Sequence, residues 1–185
     1  GDYYLVPQKT RKDTLIEPYS YAYNGVPTLL TSVATPIVSE GKLYGVVTSD
    51  ISLASLQQKV NEIKPWQGGG YAVLLSTAGK VISYPDKNLT SKPYPGDTHN
   101  FTSDVVEQAD AVLGEEALVT WQPVKIGNST DNWYLGVVAP VSQVMAAANR
   151  QLTMAIVLMV ISILLVSALL GLVFSRKVLR PIGGE

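Results

Sequence analysis

The sequence has no cysteine and a single histidine, His99. The first absence excludes disulfides and thiolate metal sites. The second confines any histidine-based catalysis to one residue. His99 sits in "YPGDTHNFTSD", a stretch rich in Gly, Pro, Asn and Asp that reads as surface loop. A catalytic base needs partners placed around it, and the sequence supplies none. Charge is also scarce. Only 16% of the 185 residues are charged and the formal net charge is −1, so there is no electrostatic case for nucleic-acid binding. The triplet Gly68-Gly69-Gly70 lacks the Gly-Lys-Ser/Thr ending of a phosphate loop and reads as a linker. No carboxylate pair is set for acid–base work. The expectation is therefore a protein without catalytic residues, metal site or cofactor. Asn-x-Ser/Thr sequons at Asn88, Asn100 and Asn128 are what chance gives in turn-rich segments.

In one place charge is missing altogether. "LTMAIVLMVISILLVSALLGLVF", Leu152 to Phe174, contains no Asp, Glu, Lys or Arg. At about 1.5 Å per residue this run spans about 34 Å as a helix, slightly more than the ~30 Å hydrocarbon core of a bilayer. It reads as a transmembrane helix within 151–175, in contact with membrane lipid. Arg176, Lys177 and Arg180 follow it, whereas Arg150 alone flanks its start. Positive charge collects on the cytoplasmic side, so residues 1–151 are expected outside the cytoplasm. The run is too long and too near the C-terminus for a signal peptide. Ser167, Gly171 and Ser175 recur on one helix face, and small residues at that spacing suit a homodimer contact. Both ends read as cut, so the chain is expected to be a fragment of a longer protein.

Before the span the pattern is mostly strand. Tyr19, Tyr21 and Tyr23 alternate with Ser20 and Ala22 and so share one face. Asn24-Gly25 predicts a hairpin turn, and Pro36 in "TLLTSVATPIV" predicts an edge or a bulge. "SEGK" turns the chain into "LYGVVTSD", with Val46, Thr48 and Asp50 on one face. From Ile51 the period becomes helical: Leu53, Leu56, Val60 and Ile63 share a side. Pro65 and the glycine triplet end that helix and divide two modules. In the second module "YAVLLS" and "VISYP" are strands, and 86–102 is mostly loop. "SDVVEQADAVLG" predicts a short helix. "EALVTWQPVKI" and "WYLGVVAPV" predict an antiparallel pair. "SQVMAAANR" starts a helix that continues into the membrane span.

Asp50 has two readings. Its side chain can cap the following helix, worth about 1 kcal/mol, although Ser49 or Ser52 can do the same. Alternatively, a carboxylate at a strand end, buried among tyrosines of a neighbouring strand, forms an ammonium site. The acid supplies charge-assisted hydrogen bonds and the rings supply cation–π attraction.

The string "EPYSY…NG…LLTSVATPI…GKLYGVVTSDISLASLQQKV" resembles the second half of the membrane-distal module of a double Cache sensor domain. "GGGYAVLLSTAGKVISYPDKNL" with "WYLGVVAPVSQVMAA" resembles its membrane-proximal module. "RKVLRPIGGE" resembles the start of a HAMP-like linker in bacterial methyl-accepting chemotaxis receptors. The resemblance implies an α+β protein of PAS-like Cache modules, antiparallel sheets flanked by helices. Residues 1–64 are the truncated distal module, 65–150 the proximal module, 151–175 the membrane helix and 176–185 the cytoplasmic linker. It implies a receptor in the bacterial inner membrane that senses a small amine or amino acid and reaches cytoplasmic signalling partners through a following segment. In members that bind amines, an aspartate in the GVVxxD-like strand takes the ammonium, here Asp50, and the tyrosine of the EPY string lines the pocket, here Tyr19. Tyr21 and Thr48 share the faces of these two residues. Members that bind amino acids carry an arginine-x-tryptophan-tyrosine string that grips the carboxylate. The matching stretch here is "GDYY", with Tyr3 at the tryptophan and Gly1 at the arginine. That departure favours an amine without a carboxylate, such as a polyamine or a quaternary amine. The rival expectations are the sensor of a histidine kinase or cyclic-dinucleotide enzyme, and a membrane-anchored adhesion or assembly module that takes no small ligand.

Overall fold

The computed structural model describes residues 2–174. Residues up to Gln143 form one compact unit. It begins with helix α1 (Asp2–Thr10) and a three-stranded antiparallel sheet in the order β1 (Thr14–Tyr23), β2 (Val26–Ser39), β3 (Lys42–Ser52). Helix α2 (Leu53–Asn61) leads to a five-stranded sheet with the order β5-β4-β8-β7-β6. Its strands are β4 (Tyr71–Leu75), β5 (Val81–Ser83), β6 (Val106–Asp110), β7 (Glu115–Lys125) and β8 (Asn132–Pro140), all antiparallel where paired. Antiparallel sheets flanked by helices are the expected α+β arrangement.

The turns follow the sequence. Asn24 (φ 50°) and Gly25 (φ 78°) join β1 to β2, the left-handed pair that a two-residue hairpin requires. Pro36 lies past Ala34, the last β2 residue paired with β1, and next to a register shift at Ile37/Val38. Its missing N–H therefore costs no ladder bond to β1.

A second irregularity, in β1, matters more. Ile16 is opposite Ser32, but Tyr19 is opposite Leu30. Three residues of β1 thus face two of β2, which is one extra residue, a β-bulge at Glu17-Pro18. Proline suits a bulge because it has no ladder donor to lose. Thr31, fully buried, donates its hydroxyl to the Ile16 carbonyl at 2.6 Å and holds the bend.

The two sheets share a core. Leu15 of β1 and Leu53 and Val60 of α2 cluster with Ala72, Leu74, Ile82 and Trp133 of the second sheet. Buried Gln57 reinforces this by donating to the Tyr84 carbonyl at 3.0 Å. The opposite face of the second sheet carries Val73, Leu75, Val81, Val119, Trp121 and Val138. The irregular segment 86–102 supplies its cover through Leu89, Tyr94 and Phe101. Strand β4 is covered on both faces, which is why "YAVLL" reads as an unbroken apolar run.

Two expectations are corrected. "SDVVEQADAVLG" is not a helix: Val106–Asp110 is strand β6, paired with β7. Asp110 then accepts from the Val112 and Leu113 amides, a side-chain turn that stops the strand. Pairing with β7 outweighs a short apolar spacing that fits either period. The helix after β3 is also shorter than expected. It starts at Leu53 and ends at Asn61, leaving Ile51 in β3 and Ile63 outside. Lys64 precedes Pro65 and adopts φ −118°, ψ 76°, non-helical as a pre-proline residue tends to be.

Residues from Val144 form a separate unit. Helix α3 (Val141–Phe174) runs without a break into the apolar stretch, and it is long and apolar enough to cross a membrane. Its apolar side chains are exposed all along, from Leu152 to Leu170. Ser167 and Gly171 fall within α3. Ser175 and the cations Arg176, Lys177 and Arg180 lie outside the described residues, as does the whole of 176–185.

A chain of edge-to-face aromatics links Tyr71, Tyr84, Tyr94, Trp121 and Phe101, with centroids 5.5–5.8 Å apart. Tyr71 also donates to Asp110 at 2.6 Å. Burial pushes the Tyr71 hydroxyl well above its ordinary value of 10.0, and the bond to Asp110 adds to this. Burial raises Tyr84 and Tyr94 likewise. A raised folded-state value means that the folded chain keeps protons the unfolded chain releases. The contribution of these three tyrosines to stability should be level below about pH 10 and fall above it, as the unfolded state loses its phenolic protons. In an alkaline titration followed by tyrosinate absorbance, three of the ten tyrosines should ionise only together with loss of the near-ultraviolet circular dichroism signal.

Candidate functional site

Strand alternation gives the first sheet two unlike faces. Leu15, Val33 and Ile51 point into the shared core. The other face holds Ile16, Tyr19 and Tyr21 from β1, Ser32 from β2, and Thr48 and Asp50 from β3. With Tyr3 of α1, they line a cleft of about 520 Å³. The bulge is what makes this set. In a regular strand Tyr19 and Tyr21, three and five residues after Ile16, would fall on the opposite face; the bulge absorbs one residue and returns them to the face of Ile16. The cleft thus brings together all five residues singled out from the sequence: Tyr3, Tyr19, Tyr21, Thr48 and Asp50.

Asp50 does not cap α2. The N-cap position is Ser52, and no side chain bonds to the helix start there. Instead Asp50 Oδ1 accepts from the Ser32 hydroxyl at 2.6 Å and has the Tyr19 hydroxyl 3.4 Å away. The two hydroxyls are themselves 2.8 Å apart. Among the described residues no donor reaches Oδ2. The expectation of a buried acid is corrected: Asp50 is exposed, at the mouth of the cleft, while Ser32 beneath it is only 2% exposed. The acid sits near the end of β3, the edge strand of this sheet among the described residues, and Tyr21 is itself 56% exposed.

Sequence reasoning missed Ser32 and Ile16. Ser32 pairs directly with Asp50 and with Ile16 across the sheet. Register could have found it in principle, by counting from the turn at Glu40-Gly41. The shift at Ile37/Val38 breaks that count, and the bulge breaks the count from Asn24-Gly25.

Residues of the same β1 segment also reach the second sheet. Glu17 accepts from Ser76 Oγ at 2.5 Å and from the Ala78 amide at 3.0 Å. The Pro18 carbonyl accepts from Ser91 Oγ at 3.5 Å. Asp13, just before β1, accepts from the Asn128 amide at 2.7 Å in the β7–β8 turn. Ile16 and Tyr19 therefore line the cleft while the residues between them hold the neighbouring sheet.

A family model described as Cache domain matches residues 7–148. The chain belongs to the Cache domain family. Its relatives include the methyl-accepting chemotaxis protein PscA of Pseudomonas syringae pv. tomato, 31% identical over 184 residues, 97% of this chain. This Cache domain chain spans only 28% of the length of PscA. Among solved structures it is similar to the ligand-binding domain of the Pseudomonas fluorescens chemoreceptor CtaA in complex with L-isoleucine. The TM-score is 0.63 and the identity 31%, over 80% of this chain and 60% of that one. It is also similar to the extracellular domain of mmHK1S-Z3, assigned as a histidine kinase, with TM-score 0.64 and 27% identity over 81% of this chain and 57% of that one.

The grip of Glu17 on the β4–β5 turn involves an ionised acceptor and two donors. Net contributions of such bonds run to about 1.5–3 kcal/mol each. Glu17→Ala should lower stability by about 1–3 kcal/mol in urea unfolding of the cleft-bearing unit. Glu17→Gln should lose less, since its amide oxygen can still accept.

Proposed function

We propose that the cleft binds a small molecule through its ammonium group, and that the chain is the extracytoplasmic sensing part of a bacterial inner-membrane chemoreceptor. One observation carries the reading. Among the described residues that line the cleft, Asp50 alone is charged, its Oδ1 is held by hydroxyls, no donor reaches its Oδ2, and three tyrosines line the same cleft. A carboxylate offers an ammonium charge-assisted hydrogen bonds. Aromatic faces add roughly 0.5–2 kcal/mol each where they reach the cation. Among the described residues the cleft lining includes no histidine, lysine or arginine, which favours binding over catalysis.

The amino-acid complex of CtaA supports a second ligand class, amino acids. An amino acid brings a carboxylate, and no lining residue carries the charge to meet it. We therefore favour an amine without a carboxylate. The modules proposed are 1–64, bearing the cleft, and 65–150, with α3 crossing the membrane and two copies meeting through its small residues. Ligand can signal only through unequal affinity for two states of the sensor. The likeness to mmHK1S-Z3 means that the same sensor also suits a kinase output.

The test is calorimetric, on the whole chain in lipid nanodiscs, with 2-methylbutylamine and its carboxylated counterpart L-isoleucine. The amine should bind at least as tightly as the amino acid. Asp50→Asn should weaken the amine by about ten-fold or more, equivalent to about 1.4 kcal/mol, with an unchanged melting temperature. Amine affinity indifferent to this substitution would remove the ammonium site. Much tighter L-isoleucine binding would replace the amine by the amino acid.

A further inference from the structure

We infer that Ser32 is a positioning residue that turns the Asp50 site into an acceptor-only surface, selecting ammonium groups that still carry N–H bonds over fully methylated ones. The inference rests on the ammonium reading above and goes beyond it in naming the selecting device.

The argument is a proton inventory. Ser32 has one hydroxyl proton and Tyr19 has one. Ser32 Oγ lies 2.6 Å from Asp50 Oδ1, a short bond to an ionised acceptor, so the serine proton goes there. Tyr19 then has two acceptors to choose from: Ser32 Oγ at 2.8 Å and Asp50 Oδ1 at 3.4 Å. The shorter distance is favoured, which makes a relay from Tyr19 to Ser32 to Asp50. Both protons then point inward along the relay. What these three residues leave for a ligand is the Tyr19 oxygen, Asp50 Oδ2 and the spare lone pairs of Oδ1. All are acceptors. A primary ammonium brings three N–H donors to such a surface, whereas a quaternary ammonium brings charge and no donor.

Burial makes the device rigid. Ser32 is 2% exposed and lies on the central strand, directly opposite both Ile16 and Asp50. Asp50 is exposed, and an exposed aspartate samples several rotamers at little cost. The buried hydroxyl fixes one of them. Directional N–H bonds depend on that orientation. Simple charge attraction hardly does, since it varies slowly with distance and not with lone-pair direction.

The test compares 2-methylbutylamine with its N,N,N-trimethyl derivative by titration calorimetry of the whole chain in nanodiscs. The wild type should bind the primary amine about ten-fold more tightly, a gap of about 1.4 kcal/mol. Ser32→Ala should weaken the primary amine by most of that factor and the trimethyl derivative by less than about two-fold, so that the preference collapses. Tyr19→Phe, which keeps the ring and removes the relay's first proton, should narrow the preference in the same direction, and it serves if Ser32→Ala fails to fold. Equal weakening of both probes by Ser32→Ala would mean a structural role and overturn the inference. So would an unchanged preference in both variants, or a wild type that binds the trimethyl derivative as tightly, while Asp50→Asn still abolishes binding. A wild type that binds neither probe, or an Asp50→Asn variant that binds both normally, removes the ammonium reading itself and the relay with it.

Discussion

A single inserted residue in β1 is the constraint on which the rest of the unit depends. The strand enters the sheet with Leu15 in the shared core and Ile16 on the cleft face. Simple alternation would then send Tyr19 and Tyr21 into the core. The bulge at Glu17-Pro18 resets the alternation, so Tyr19 and Tyr21 join Ile16 over the cleft. The cost is local: one ladder position is lost, and proline has no donor there to leave unpaired. Thr31 offsets part of the cost by bonding the Ile16 carbonyl.

The same insertion gives the strand a second use. Glu17, displaced from the ladder, extends to the β4–β5 turn, and the Pro18 carbonyl meets Ser91. A group pressing on Tyr19 from the cleft therefore acts on a strand whose adjacent residues hold the other sheet. The connection is covalent and short. Leu15, Leu53 and Val60 back it with packing against Ala72, Leu74 and Trp133. Packed interiors do not deform continuously, so a small shift at the bulge is carried onward or resisted, and is not absorbed.

Much of this was legible in the sequence because the signals were local. Asn24-Gly25 marks its hairpin through backbone geometry, and the three tyrosines show their common face through period alone. The faces of Thr48 and Asp50 follow from the same rule. What was not legible depends on pairing between distant segments. Ser32 becomes important only when β2 is laid against both β1 and β3, and two register shifts hide the count. Strand β6 looked helical because its apolar residues fit either period over so short a stretch, and β7 decided the matter. The resemblance to Cache sensors located Tyr3, which no periodicity in "GDYY" would single out.

Two aspartates show what suits Asp50 to its proposed role. Asp110 is 7% exposed and accepts from Tyr71 and from two backbone amides. Its charge is compensated by the fold, and nothing remains for a ligand. Asp50 is exposed and has fixed partners on one oxygen only. A hydroxyl buried beneath the acid supplies the orientation that burial of the acid itself would otherwise provide. In the proposed site two residues thus divide two tasks: the buried Ser32 fixes geometry, and the Asp50 carboxylate it holds supplies charge.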